Sequence, residues 1–181
     1  MTEPRTAADV VAFWRDAGPA LWFARNDAFD RECTRFIPLH MAAARRELDD
    51  WLADAEGALA LLILLDQIPR NVFRGSAHAF ATDALARTFA RQAVDAGFDM
   101  ATGPALRAFF YLPFEHSETL DDQHRSMALF GRLDDAESLR WARIHLDIIE
   151  RFGRFPHRNA AFGRETTAEE RAFLDGGGFA G

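Results

Sequence analysis

The stretch "GALALLILLDQIPRN", residues 57–71, decides the fold. From Gly57 to Leu65 no position carries a polar side chain, so neither a one-sided helical stripe nor the alternation of a half-buried strand is present. A run that is apolar all round suits a central buried helix, extending to Gln67. "IPRNVFRG", Ile68 to Gly75, closes it, with Pro69 as the expected stop. The longest apolar run, "ALALLILL" at 58–65, falls far short of the roughly 18 residues of a membrane span.

Working outward, the periodicity is helical almost throughout. "TAAD" (Thr6–Asp9) has capping-box spacing and opens a helix through Phe13 and Trp14, stopped by Gly18 and Pro19. Phe29, Cys33 and Phe36 form one apolar stripe, after which Pro38 breaks or kinks the helix before a second arm to Trp51. Residues 82–96 are amphipathic and end at Gly97. Pro104 starts "ALRAFFYL", which runs to Pro113. "TLDD" (Thr119–Asp122) repeats the capping spacing before a helix to about Leu133. Ala136 to Phe152 makes the next helix, with Gly153 as its stop, and "TAEE" (Thr167–Glu170) starts a last short one. No period-2 run marks a strand. The expected fold is all-α, one domain over residues 1–181 with loose ends at 1–5 and 175–181.

Composition narrows the function. The chain has 181 residues, 49% of them hydrophobic, and a formal charge of −7, which argues against a general nucleic-acid binder. Cys33 is the only cysteine, so an internal disulfide and a cysteine-cluster zinc site are excluded and a reducing cytoplasm is expected. All 21 basic residues are arginine, which excludes a lysine-bearing phosphate loop, a pyridoxal phosphate aldimine and Schiff-base chemistry. "GGGFAG" (176–181) fits a dinucleotide fingerprint literally, but it follows no strand and opens no helix.

Three polar breaks stand out. "IPRNVFR" (Ile68–Arg74) and "FPHRNAAFGR" (Phe155–Arg164) share the order apolar, proline, arginine-asparagine, phenylalanine, arginine. Arg offers a planar fork suited to carboxylate or phosphate, and Asn adds a donor and an acceptor. Asp66 and Gln67 precede the first break. "PFEHSE" (Pro113–Glu118) sets Glu115 and His116 in a connection, where a carboxylate and an imidazole can serve acid–base chemistry or a metal. Trp141, His145, Ile148 and Phe152 recur at helical spacing, so His145 lies on a buried face toward the arginine-rich 151–164 segment. The same residues also fit a structural network, with the acids of 115–122 docked on that segment and Asp66 paired to Arg70 or Arg158.

At these motifs the chain resembles a known family. "LLDQIPRNVFRG", "YLPFEHSE", "IIERFGRFPHRNAAFGRETTAEERAFL" and "WFARNDAFDRECTRF" closely resemble the bacterial family called domain of unknown function 924, from about Val10 to Leu174. The resemblance implies an all-helical fold of the tetratricopeptide-repeat-like type and implies no activity. Its pattern falls on Asp66, Gln67, Arg70, Asn71 and Arg74, on Glu115 to Glu118, and on His145, Gly153, Arg154 and Pro156 to Asn159.

The leading expectation is a helical bundle with one polar pocket that binds a small anionic molecule. Arg70, Arg154 and Arg158 would clamp the charge, with Asn71 and Asn159 orienting the ligand and Arg74 and His145 also among the binding residues. His116 or His157 would carry a proton, oriented by Asp66 or Glu115. No metal or cofactor is assigned, since no known ligand spacing is present. The alternative is a non-catalytic scaffold whose helical groove holds a peptide or partner protein.

Overall fold

The computed structural model describes residues 5–180. Among them every regular element is helical and no strand forms, as the periodicity predicts. The expected loose ends fall partly on residues 1–4 and 181, which lie outside the described residues. Two compact units emerge: Met1–Arg74 with His78–Pro113, and Gly75–Ala77 with Phe114–Gly181.

The run from Gly57 to Gln67 is the buried spine of the first unit. Ala55–Leu62 is α-helical, Ile63–Gln67 forms a π turn, and Ile68–Val72 resumes the α-helix. Pro69 therefore does not end the helix, and the physical reason lies in its carbonyls. Ile68 donates its N–H to Ile63 O, five residues back, which leaves Leu64 O open. Pro69 has no N–H to give to Leu65 O. His40 Nδ1 meets Leu64 O at 2.9 Å, and the Thr82 hydroxyl donates to Leu65 O at 2.5 Å. Both buried acceptors are satisfied by side chains, so the helix continues across the proline.

The His40 contact fixes that ring's tautomer. A carbonyl only accepts, so Nδ1 carries the proton, while Nε2 is buried without a hydrogen-bond partner. Burial pushes the His40 pKa below its ordinary value, and the bond to Leu64 O opposes this only in part.

Around the spine, Thr6 and Asp9 close the expected capping box on Ala7–Ala17. Trp14 and Phe109 meet edge to face at 5.7 Å, and Trp22 Nε1 donates to Trp14 O at 2.6 Å. The Phe29–Phe36 stripe bends through a 3-10 turn at Thr34–Phe36 into Ile37–Ala44, with Pro38 in its first turn. That arm stops at Ala44 rather than Trp51, and Asp49–Ala53 forms a separate 3-10 turn. Gly57 permits its close approach: a Cβ there would stand 2.0 Å from the Trp51 carbonyl oxygen.

In the second unit, Leu120–Phe130 packs on Ala136–Phe152. The longer helix has the expected bounds because Asp135 caps its start and Gly153, at φ +68°, ends it. Thr119 does not form its box. Its hydroxyl and that of Ser117 each donate to the Asp122 carboxylate at 2.8 Å instead. Thr167 and Glu170 do close theirs on Ala168–Asp175. Ile148, Ile149 and Phe155 form a buried apolar cluster, with Ile144, Phe152, Phe173 and Phe179 packed against it.

Among the described residues no helix is long and apolar enough to cross a membrane.

Candidate functional site

The first unit holds Asp66, Arg70, Asn71 and Arg74, all in or just after the helix that crosses Pro69. Arg70 forks onto Asp83 at 2.9 and 3.0 Å and reaches Asp66 Oδ1 at 3.2 Å. It also donates to the Asp66 carbonyl at 2.5 Å. Burial works against the guanidinium charge, but the two carboxylates outweigh it and raise the Arg70 pKa. Asp66, 1% exposed, takes a further bond from Gln67 at 2.6 Å. Asn71 and Arg74 both donate to Asp30, Arg74 through Nε at 2.6 Å and NH2 at 3.0 Å. These cations are engaged by carboxylates, and their geometry is that of helix staples.

The second unit gathers the remaining candidates. Glu115 ends the short helix Leu112–Glu115, and His145 faces it from the third turn of Ala136–Phe152. His145 Nδ1 lies 2.9 Å from Trp141 O and 3.3 Å from Glu115 Oε1. Both neighbours are acceptors, so Nδ1 bears the proton and Nε2 is the nitrogen at which a proton is gained or lost. Glu115 and His145 are 4% and 6% exposed. The His116 ring stands 6.4 Å from that of His145, and Arg158 donates to the His116 carbonyl at 3.0 Å while lying over Phe155. The His157 ring lies tilted beside that of Phe155, at 5.6 Å.

The other arginines of "FGRFPHRNAAFGR" close onto acids. Arg154 forks onto Glu170 at 2.6 and 2.9 Å, and Asn159 Nδ2 adds a bond to the same carboxylate at 3.2 Å. Arg164 forks onto Glu118 at 2.9 Å on both arms. The Phe155 amide also donates to Glu118, at 3.0 Å. The docking of acidic 115–122 on basic 151–164 is thus realised here through Glu118 and Arg164.

These pairs carry a pH dependence. The Arg154 fork, helped by the Thr167 amide, holds Glu170 down at about 2 against an ordinary 4.5. Burial would raise Glu118, but Arg164 and the Phe155 amide prevail and lower it. Depressed carboxylates stabilise the fold fully above their unfolded values, and that contribution is lost as pH falls from about 4.5 toward 2. The Glu170 shift corresponds to about 3 kcal/mol unscreened. Solvent at the partly exposed Arg154 reduces this, so about 1–2 kcal/mol should be lost between pH 6 and pH 3. Urea midpoints will read it, and Glu170→Gln should flatten the profile; an unchanged slope refutes the assignment.

Sequence reasoning missed Asp30, Asp83 and His40, whose partners are distant along the chain, and it missed Phe179. That ring sits 4.6 Å from His145 and 5.2 Å from His157. An aromatic residue directly after three glycines was the available signal. Among the described residues no three histidine, cysteine or acidic side chains converge as a metal ion would require.

The family described as a bacterial protein of unknown function, DUF924, matches residues 10–178. The chain belongs to that family. Its fold is similar to the solved structure of a protein of unknown function from Agrobacterium tumefaciens, at 54% identity and a TM-score of 0.91. The similarity spans 94% of this chain and 97% of that one. No curated protein matches the chain. Family membership therefore carries the helical fold and leaves the chemistry to the residues themselves.

Proposed function

We propose that the second unit binds a small anionic molecule at its histidine cluster and exchanges a proton with it. The observation that supports this most is the buried Glu115–His145 pair, 3.3 Å apart. A carboxylate and a carbonyl together hold the imidazole in one tautomer, the preparation that a proton-carrying histidine needs. His116 and His157 belong to the same cluster, and Arg158 brings positive charge beside them. On this reading His145 takes the proton, because Glu115 orients it. Asp66, Arg70, Asn71, Arg74, Arg154 and Asn159 serve as structural pairs. Cytoplasmic residence is part of the proposal and rests on the lone, buried Cys33 thiol.

A thermal-shift screen of phosphorylated and carboxylated metabolites tests it. A ligand that binds only the folded state adds about 2.7 kcal/mol at a hundredfold excess over its dissociation constant. At least one hit is expected, and Glu115→Gln and His145→Gln should each weaken it tenfold or more. Hits that survive both substitutions refute the site.

One observation favours a second reading. The first unit carries an open cleft of about 380 Å³ whose lining includes Val11, Leu59, Thr102 and Leu106, with Arg15 and Glu56. Such an apolar-lined cleft suits an extended apolar segment of a partner protein, with closed arginine pairs as scaffold. A screen without any hit would leave this scaffold reading as the one to pursue.

A further inference from the structure

The helix Ala168–Asp175 ends in a Schellman motif. Gly178 N–H donates to Phe173 O at 2.9 Å and Gly177 N–H to Leu174 O at 3.2 Å. Gly177 has φ +81°, the left-handed conformation this closure demands. A Cβ on Gly178 would meet the Phe173 carbonyl oxygen at 2.6 Å, so both positions require glycine. The reversal delivers Phe179 onto the histidine cluster. Its ring lies 4.6 Å from His145, 5.2 Å from His157 and 6.0 Å from Trp141. Three flat rings thus surround a fourth that arrives on a glycine strap and is itself only partly buried.

We propose that Phe179 is a tethered occupant of an aromatic subsite, and that the subsite takes the planar ring of an aromatic acid when the strap is displaced. The proposal rests on reading the second unit as an anion site. It adds the ligand class: a flat ring held between His145, His157 and Trp141, with its acid group toward the Arg158 side of the cluster. Offset and edge-on stacking selects a planar ring over a saturated one of equal size. A ring on a short flexible tether competes at an effective concentration in the millimolar range, so the strap restrains binding of an external ligand.

The test uses benzoate as probe and cyclohexanecarboxylate as the saturated control, followed by NMR of the histidine rings in the full chain. Phe179→Ala should bind benzoate at least tenfold more tightly than the parent protein, with shifts at His145 and His157. Cyclohexanecarboxylate should bind at least tenfold more weakly than benzoate. Gly177→Val keeps every core side chain but cannot hold φ +81°, so it should show the same gain and decides the matter should Phe179→Ala unfold. Equal benzoate affinity in the parent and both variants overturns the strap while leaving the anion site standing. Equal affinity for the two acids overturns the aromatic subsite. If Phe179→Ala only loses stability and Gly177→Val gains no binding, Phe179 is a core filler. Failure of every protein to bind either acid, together with an empty metabolite screen, removes the underlying site as well.

Discussion

Gly57→Ala is expected to destabilise the first unit by about 3 kcal/mol or more. Glycine to alanine inside a helix ordinarily stabilises by roughly 1 kcal/mol, because alanine loses less backbone freedom on folding. Here the sign reverses. The new Cβ would lie 2.0 Å from the Trp51 carbonyl oxygen, 2.8 Å from its carbonyl carbon and 3.0 Å from its Cα. All three are backbone atoms, so no side-chain rotation relieves the overlap. Either the Asp49–Ala53 turn moves off the helix or the helix start shifts, and a shift at the helix start disturbs the Asp54 cap on the Gly57 amide, a 2.8 Å bond. Urea denaturation will decide: a midpoint equal to or above the parent's contradicts the packing of that turn.

Arg70→Ala is expected to cost about 3–5 kcal/mol, the usual penalty for leaving a buried charge without its partner. Asp66 is 1% exposed, and the neutral Gln67 amide beside it cannot replace the lost charge. Asp83 loses both arms of its fork. Arg70→Lys should fall between, since a point charge cannot bridge two carboxylates as a planar fork does. Arg140→Ala is the control: its 2.9 Å pair with Glu137 is more than half exposed on both sides, so its loss should be far smaller than that at Arg70. Similar losses at Arg70 and Arg140, measured by urea midpoints, would show that the Arg70 network is not a staple.

Local signals read well from the sequence. Thr6 with Asp9, Thr167 with Glu170, and Gly153 each act within one turn, and the structure places helix ends where they predict. Pro69 misled because its compensation is remote: His40 and Thr82 lie 24 and 17 positions from the carbonyls they satisfy. The arginines were recognisable as anion-seeking groups, but their partners were not, since Asp30 is 44 positions from Arg74. Pairing of Glu115 with His145 was likewise hidden, since 30 positions separate them. Fold class follows from periodicity, which is local, whereas a site is assembled from contacts between distant elements.

The π turn at Ile63–Gln67 has a consequence for insertions and deletions. It holds one residue more than an α-helix spanning the same hydrogen bonds. Each residue turns an α-helix by about 100°. The π turn takes up that rotation over its longer loop, so deleting one residue here lets Ile68 N–H reach Ile63 O as an ordinary α-helical bond and leaves everything from Pro69 onward near its present orientation. Arg70 and Arg74 then stay beside Asp83 and Asp30. Such a helix leaves one carbonyl, not two, without an amide donor, because only Pro69 withholds one. The spine can therefore shed a residue at this turn and keep its arginine pairs, and one of the two side chains that now serve its carbonyls would lose that role.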